Sequence, residues 1–392
     1  MPQRRAHIAM IGTPLAGHVL PTVGILRELV ARGHRVTCAN TPDMADMLKP
    51  TGVEFVPYDI VLDRPAGVIE DPIEAMDAIL EVNVQLHSRL RPYYEADPPD
   101  IFLYDVGAFA ARVLAESHDR PLVQLSPAHV GHEPEPELVE RVEGLPTAGA
   151  YERRFAKWLA ESGATTLDVE EFCGLPPRVL VLIPRVLQPR FDELDPDVVT
   201  VVGPCLTSAA EREAYEEWTP PPAVERVLLI AMGATYPLPP EFYRECLAAF
   251  GDLPGWHVVL QIGRNIDRDA LGDLPANVEV HRWVEQSAVL RRADLFVTAA
   301  GSASVGGALA CKVPMIAVPQ GADHFSNADR LVEAGVARRI DTAEVRAEAL
   351  RTACRELVTD PRVATRLEAL SAEVAPEQAT RRAADLIEDM VG

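Results

Sequence analysis

A histidine and an aspartate in the first part of the chain have side chains that together can move a proton. His18 follows the apolar segment of residues 7–11, and Asp105 directly follows the apolar segment of residues 100–104. If both segments are parallel strands of one sheet, their carboxyl ends meet at the same edge, and the two side chains lie close together. An imidazole takes a proton from a hydroxyl near neutral pH when a carboxylate fixes its tautomer. The two residue types alone favour a simpler interpretation, in which His18 caps a helix and Asp105 closes a turn.

A second stretch with the residue types of a binding site begins at Ala293. Residues 293–298 predict a strand, residues 299–307 a glycine-bearing turn that opens a helix, and residues 314–319 another buried strand. A helix that begins directly after a strand presents unpaired N–H groups, which suit an anionic ligand. Polar residues beyond the second strand are candidates for substrate binding: Asp323, His324 and Asn327. The alternative for these three side chains is a solvated surface loop.

Composition and charge exclude several classes of protein. The 392 residues exceed one ordinary core and fit two domains of about 200 residues each. An excess of 59 Asp+Glu over 37 Lys+Arg gives a formal charge of −22, which repels nucleic acid and anionic membrane surfaces. No segment approaches the ~20 apolar residues of a membrane span, so the sequence predicts a cytoplasmic protein. The cysteines form no C-x-x-C pair, and we expect neither a metal site nor a disulfide framework.

Strand-like and helix-like segments alternate along the chain, which predicts parallel sheets covered by helices. After the first strand, residues 13–19 predict a loop and residues 21–32 a helix that Pro21 begins and Gly33 ends. Further strands are predicted at residues 35–39, 53–58, 100–104, 121–125, 179–183, 198–202, 227–233, 257–262, 278–282, 295–298 and 315–318. The last helices are predicted at residues 343–359, 361–374 and 378–390.

A change of composition divides the chain into two halves. Residues 208–224 turn polar and include three consecutive prolines, which is typical of a linker. Soon afterwards the sequence IAMGAT of residues 230–235 repeats the opening IAMIGT of residues 8–13. The pattern therefore predicts two similar Rossmann-like domains and a final segment, at residues 1–207, 225–375 and 376–392.

Several segments carry a resemblance to a known family. Besides residues 293–330, they are residues 6–10, 25–37, 242–246, 253–257 and 315–320. Over nearly its whole length the chain resembles the family 1 glycosyltransferases of GT-B fold, especially the macrolide (oleandomycin-type) glycosyltransferases of actinomycetes. The resemblance implies an α/β protein of two Rossmann-like domains facing across a cleft. The first domain then binds the acceptor, the second binds the donor, and the last helix crosses back to the first domain.

The resemblance also implies a role for each candidate residue. His18 takes the family's position of general base, and Asp105 that of its supporting carboxylate. Trp283 matches the platform on which the donor's base stacks, although an aromatic residue after a strand is more often part of the core. Asp323 matches the residue that contacts donor-sugar hydroxyls, and His324 replaces the family's glutamine. A small natural product is the implied substrate.

The positions that hold the donor's diphosphate depart from the family's pattern. The family has a histidine directly after the strand, then Gly-Gly-Ser at the helix start, and a serine after the first strand of the domain. The matching residues are Ala299, then Ala303, Ser304 and Val305, and finally Ala234. Hydrogen bonds to a charged group contribute about 1.5–3 kcal/mol each, so losing two or three predicts donor binding weaker by orders of magnitude. The nearby hydroxyls of Thr235 and Ser302 offer partial compensation.

Three functions stay open from the sequence. In the first, the chain has lost nucleotide-sugar use, needs no cofactor, and performs cyclisation, elimination or isomerisation on a polyketide-like molecule with His18 and Asp105. In the second, it is an active glycosyltransferase with an unusual or weakly bound nucleotide sugar. In the third, it is a non-catalytic helper of a glycosyltransferase. The intact His–Asp pair favours the first two, and the altered diphosphate positions favour the first. A homodimer is left open.

Overall fold

The computed structural model describes residues 5–61, 71–131, 147–205, 218–233 and 238–391. The chain forms two compact units. The first comprises Met1–Leu182, Pro189–Cys205 and Gln378–Gly392, and the second comprises Ile183–Gln188 and Leu206–Glu377. Residues 208–217 of the predicted linker lie outside the described residues.

The first unit contains a parallel sheet in the order β3-β2-β1-β4-β5-β6-β7. Its strands are β1 (His7–Ile11), β2 (Arg35–Asn40), β3 (Glu54–Pro57), β4 (Ile101–Asp105), β5 (Leu122–Ser126), β6 (Val179–Val181) and β7 (Val199–Val201). The α-helices that connect them are α1 (Ala16–Ala31), α2 (Ala45–Leu48), α3 (Pro72–Ala96), α4 (Phe109–Ser117), α5 (Ala148–Ser162) and α6 (Val169–Cys173). The strand order reverses between β1 and β4, so the carboxyl ends of these two strands border a crevice where α/β proteins bind ligands.

The second unit contains a parallel sheet in the order β10-β9-β8-β11-β12-β13. Its strands are β8 (Arg226–Ala231), β9 (Trp256–Gln261), β10 (Val278–His281), β11 (Leu295–Thr298), β12 (Met315–Ala317) and β13 (Ala337–Arg339). The α-helices of this half are α7 (Pro240–Phe250), α8 (Gln286–Leu290), α9 (Ser302–Ala310), α10 (His324–Glu333), α11 (Ala347–Thr359) and α12 (Pro361–Glu373). Here the order reverses between β8 and β11. The two sheets therefore repeat one arrangement.

Three local predictions need correction. Helix α1 begins at Ala16, so His18 lies in its first turn rather than in a loop, and Pro21 lies inside the helix. The first turn forms because the N–H groups of His18 and Val19 both donate to the carbonyl of Leu15, at 2.9 and 3.0 Å. Asp105 is the last residue of β4 instead of following it. The glycine-bearing turn after β11 is also shorter than predicted, since α9 already begins at Ser302.

The final helix, α13 (Pro376–Val391), contributes its apolar side to the core of the first unit. Ala383 and Ile387 are fully buried in the cluster that also contains Ile8 of β1. At the rim, Arg32 donates to Glu388 at 2.6 Å, and the ring of His34 lies 2.7 Å from the same carboxylate. In the parts of the chain that the structure describes, no helix combines the length and the apolar character needed to cross a membrane.

Candidate active site

The crevice at the reversal of the first sheet brings His18 and Asp105 together. Nδ1 of His18 lies 2.8 Å from Oδ2 of Asp105. The His18 side chain is 29% exposed, whereas that of Asp105 is only 1% exposed. An ionised carboxylate can only accept hydrogen bonds, so we assign the proton to Nδ1, which leaves Nε2 as the basic nitrogen of the ring. This is the arrangement by which a carboxylate orients a histidine base.

The segments that follow β1 and β4, next to the pair, are tied to each other and to the sheet. The hydroxyl of Thr13, after β1, donates to the carbonyl of Val106, after β4, at 3.3 Å. The hydroxyl of Tyr58 donates to the carbonyl of Gly12 at 2.9 Å, and burial raises the pKa of this tyrosine. Oδ1 of Asp105 is buried and, among the described residues, has no hydrogen-bond partner. The position of this carboxylate thus depends on its backbone and on His18.

A cavity of about 780 Å³ opens beside His18 in the first unit. Its walls are mainly apolar, and three of the side chains that line it are large apolar groups with substantial exposure: Leu15 at 50%, Ile79 at 46% and Val106 at 37%. The acidic residues Asp43 and Asp59 also line it, and its described lining includes no lysine or arginine. Apolar walls with a few polar groups are typical of small-molecule sites. The cavity suits an apolar, uncharged or cationic ligand that carries a hydroxyl.

At the reversal of the second sheet, the turn after β11 is tight and apolar. Ala299 and Ala300 are buried, and Ala300 has a φ of 65°, a left-handed conformation that costs a residue other than glycine about 1–2 kcal/mol. Gly301 precedes α9, with no side-chain hydrogen bond capping the helix. Of the predicted diphosphate positions, Val305 is buried and Ala303 is half-buried. Ser304 is half-buried as well, and its hydroxyl donates to Gln286 at 3.3 Å. The remaining position, Ala234, lies outside the described residues, as does Thr235.

A small polar network lies at the start of α9. Oδ2 of Asp323 accepts hydrogen bonds from the hydroxyl of Ser302 and from Nδ2 of Asn327, both at 2.9 Å. The amide of the buried Asn327 also donates to the carbonyl of Ala300 at 3.0 Å. The structure therefore brings Asp323 and Asn327 together around Ser302, so that the start of α10 is fastened to the start of α9.

Two other predicted residues of this half differ in their surroundings. The ring of His324 packs beside Gly301, where a Cβ atom would lie 3.5 Å from Nε2. Burial lowers the pKa of His324, and the nearby Asp323 carboxylate opposes that shift. Trp283 follows β10 and is 67% exposed, so it is not the core residue that an aromatic in this position more often is. Across the described residues, no group of three His, Cys, Asp or Glu side chains could hold a metal ion.

Comparison with known proteins places the chain in a family. The family model described as "Erythromycin biosynthesis protein CIII-like, C-terminal domain" matches residues 244–390. Oleandomycin glycosyltransferase of Streptomyces antibioticus is 46% identical over 402 residues, which cover 98% of this chain and 90% of that protein. The chain belongs to the family 1 glycosyltransferases of GT-B fold. NDP-glycosyltransferase YjiC of Bacillus licheniformis is 30% identical, with 97% of both chains covered.

Solved structures of glycosyltransferases agree with this membership. The glycotransferase of kitacinnamycin is 44% identical, with a TM-score of 0.92 and complete coverage of both chains. The calicheamicin glycosyltransferase CalG4 is 30% identical, with a TM-score of 0.86 and 99% coverage of both chains. The α/β fold with two Rossmann-like domains is therefore confirmed, and the protein is an enzyme of glycosyltransferase fold.

Membership of the glycosyltransferases corrects one interpretation of the sequence. The interpretation that the chain has lost sugar transfer and acts as a cyclase, eliminase or isomerase is wrong, because relatives that share 46% and 44% of its residues over nearly the whole chain are glycosyltransferases. The wrong interpretation gave the missing side-chain ligands, such as the histidine absent at Ala299, more weight than the backbone N–H groups at the start of the helix. Backbone N–H groups at the start of a helix also hold phosphate, and a side-chain substitution does not remove them.

Some residues that build the site beside His18 were not predicted from the sequence. Thr13 and Tyr58 fix the loop after β1 through backbone carbonyls, and Asn83 of α3 contacts the turn after β4. Asn83 had one detectable signal, because it and His87 are the polar residues on a mainly apolar buried side of a long helix. Such residues are usually fully hydrogen-bonded and hold a specific neighbour in place.

Proposed function

We propose that the protein transfers a sugar from a nucleotide sugar to a hydroxyl group of a small natural product. The observation that carries the proposal is the His18–Asp105 pair, 2.8 Å apart, beside an apolar cavity of about 780 Å³. The 46% identity with oleandomycin glycosyltransferase supports sugar transfer as the reaction. The kitacinnamycin and calicheamicin relatives support a natural product as the acceptor.

The reaction needs one base and one leaving group. Nε2 of His18 removes the proton of the acceptor hydroxyl while the acceptor oxygen bonds to the anomeric carbon of the sugar. The bond from that carbon to the diphosphate breaks, and the nucleoside diphosphate leaves with the electron pair. Asp105 holds the ring through Nδ1 and stabilises the imidazolium that forms.

The cavity beside His18 favours an acceptor with a large apolar body. Leu15, Ile79 and Val106 expose apolar surface that such a molecule would cover. Burial of apolar surface contributes roughly 25 cal/mol per Å², so a macrolide-sized body gains most of its affinity here without charged contacts. The hydroxyl that accepts the sugar then has to reach His18.

On the donor side we propose fewer side-chain contacts than the family pattern provides. Backbone N–H groups at the start of α9 hold the diphosphate, and Trp283 stacks on the donor's base. The polar residues assigned to the sugar are Asp323, His324 and Asn327. Because Ala299 and residues 303–305 supply few donors, we expect a weakly bound donor with a high KM.

A donor screen tests the proposal. The protein is incubated with uridine and thymidine diphosphate sugars and with macrolide acceptors, and products are detected by mass spectrometry. A new glycoside that forms only with donor, acceptor and wild-type protein together is the expected result. If no glycoside forms with any donor at millimolar concentration, the proposal of sugar transfer is wrong.

We also propose that the enzyme is located in the cytoplasm, where nucleotide sugars are available. The sequence left a homodimer open, and light scattering of the purified protein decides whether the enzyme is a monomer or a dimer.

A further inference from the structure

Asn83 is a buried residue of α3 whose hydrogen bonds all go to backbone. Its side chain is 1% exposed. Nδ2 donates to the carbonyl of Gly107 at 2.8 Å and to the carbonyl of Ile79, one turn earlier in its own helix, at 2.9 Å. Oδ1 accepts from the N–H of Ala110 at 2.9 Å. One side chain thus holds two points of the segment that directly follows Asp105.

The hydrogen bond to Ala110 replaces a missing helix cap. Helix α4 begins at Phe109, so Ala110 is its second residue and has an N–H group without a partner inside the helix. The residue before the helix is Ala108, whose side chain cannot accept a hydrogen bond. Serine, threonine, aspartate or asparagine usually performs this role locally. Here the cap comes from Asn83, in a different helix.

The hydrogen bond to Gly107 fixes the turn between Asp105 and α4. The N–H of Ala108 donates to the carbonyl of Asp105 at 2.9 Å, and Gly107 has a φ of 89°, so residues 105–108 form a tight turn. On its other side the turn is held by the 3.3 Å hydrogen bond from Thr13 to Val106. The Asp105 carboxylate has no hydrogen-bond partner for Oδ1 among the described residues, so its direction follows that of the turn.

From these contacts we propose that Asn83 is a positioning residue for the catalytic pair: by capping α4 and holding the turn at Gly107, it aims the Asp105 carboxylate at Nδ1 of His18. The role of the pair rests on the proposed function. The contacts of Asn83 do not, and both Asn83 and Val106 line the cavity.

Asn277 in the second unit provides a matched control. Its Oδ1 accepts from the N–H of Asp252 at 3.0 Å, and its Nδ2 donates to the carbonyls of Phe250 and Trp256 at 3.0 and 3.2 Å. It therefore makes the same kind of backbone contacts as Asn83, far along the chain from either catalytic residue. Because Asn83 is buried and Asn277 is half-buried, Asn83→Leu should lower Tm somewhat more than Asn277→Leu, and the comparison of the two variants rests on kinetics and titration.

The decisive measurements are the dependence of kcat on pH and the titration of His18. We expect Asn83→Leu to lower kcat roughly ten- to a hundredfold, as a small misplacement of a catalytic group does, with a smaller change in acceptor KM. The fall of the rate on acidification should move to lower pH, because a displaced Asp105 stabilises the imidazolium less. Asn277→Leu should leave kcat and this pH dependence unchanged. The other charged groups that line the cavity, Asp43 and Asp59, are present in every variant.

Nuclear magnetic resonance of the histidine rings follows the same effect without any substrate. The signal of His18 is assigned through His18→Gln, and its titration midpoint should fall in Asn83→Leu but not in Asn277→Leu. If the wild type forms no glycoside, the proposed function fails, and the ring titration still decides the role of Asn83. If both leucine variants share the wild-type titration and pH dependence, Asn83 is merely structural. Should Asn83→Leu not fold, Asn83→Ala takes its place, because alanine favours the helix and adds no bulk.

Discussion

Six of the seven strands in the first sheet follow the same order as the six strands of the second, yet the residues at the two reversals differ in chemistry. In the first sheet Ile11 pairs with Tyr104, and in the second Ala231 pairs with Thr298. The residue after Tyr104 is Asp105, and the residue after Thr298 is Ala299. One arrangement thus presents a buried carboxylate where its repeat presents a methyl group.

This difference separates two ways of building a site on one fold. The first reversal relies on side chains, since the carboxylate of Asp105 acts on the ring of His18. At the second reversal a strained turn at Ala300 leads directly into α9, and the side chains of Ser302, Asp323 and Asn327 bond to one another and fasten neighbouring elements. Function therefore cannot be read from strand order alone.

The largest expected effect is at the first reversal. His18→Ala should lower kcat by about 10²–10⁴-fold, the usual contribution of a general base, while Tm changes little because the side chain is partly exposed. Asp105→Asn should lower kcat less, since an amide still contacts the ring but cannot stabilise its charged form. Steady-state kinetics of the purified variants measure both. His281→Ala, which removes an exposed histidine of the second unit, is the control. Full activity of His18→Ala would move the search for the base to Asp323 and His324.

A gain of function at the second reversal is next in size. Ala299→His combined with Ala303→Gly, Ser304→Gly and Val305→Ser restores two side-chain donors and closer backbone access. Each new hydrogen bond to the diphosphate adds about 1.5–3 kcal/mol, so we expect affinity for the nucleoside diphosphate to rise at least about tenfold in calorimetry. Val305→Ser alone controls for the cost of a hydroxyl at this buried position. Unchanged affinity in the combined variant would mean that these positions do not contact the donor.

A smaller loss tests the network of the second unit. Ser302→Ala removes the 2.9 Å hydrogen bond to Asp323 and so leaves that carboxylate less firmly placed. One such bond is worth about 1 kcal/mol, which predicts a donor KM raised roughly fivefold with acceptor KM unchanged. Ser302→Thr, which keeps the hydroxyl, should behave as the wild type. If the acceptor KM rises instead of the donor KM, Ser302 does not support donor binding.

The smallest expected effect concerns the stability of the first unit in acid. Burial lowers the pKa of His87, in α3 of the first unit, to about 4. The unfolded chain takes up this proton near pH 6.5, whereas the folded protein resists it until about pH 4, so stability is lost as the pH falls through this interval. His87→Leu should reduce the drop in Tm between pH 7 and pH 4.5 by a few degrees, as measured by circular dichroism. An identical drop in the variant would assign the acid sensitivity to other groups.

Much of the fold could be predicted from the sequence because parallel strands buried on both faces are nearly continuous apolar runs. β1 and β11 are fully buried, and their predicted bounds agree with the structure. β13 was not predicted, because this three-residue strand contains Arg338 and Arg339 and lies at the edge of the sheet, where charged side chains are tolerated. The start of α1 was placed five residues too late, since proline was taken as its first residue.

The candidate sites were predictable to different extents. His18 and Asp105 were found because both follow apolar strands, and the carboxyl ends of strands meet at one edge of a sheet. Asn83 was missed because its partners, Gly107 and Ala110, are backbone groups more than 20 residues away, and no local pattern reports such contacts. The departure from the family's pattern at residues 299 and 303–305 stays a prediction. The conclusion drawn from it, that sugar transfer is lost, was wrong because the side-chain donors were given more weight than the backbone donors of the same turn.

Helix α13 affects how the protein can be made. The cluster around Ile8 in β1 is completed by Ala379, Ala383 and Ile387, so the first unit lacks part of its core until α13 has been made and released. During synthesis the second unit therefore has all of its own strands before the first is finished. A released chain that stops at residue 377 should show a protease-sensitive first unit and a resistant second one, since the second unit extends only to Glu377.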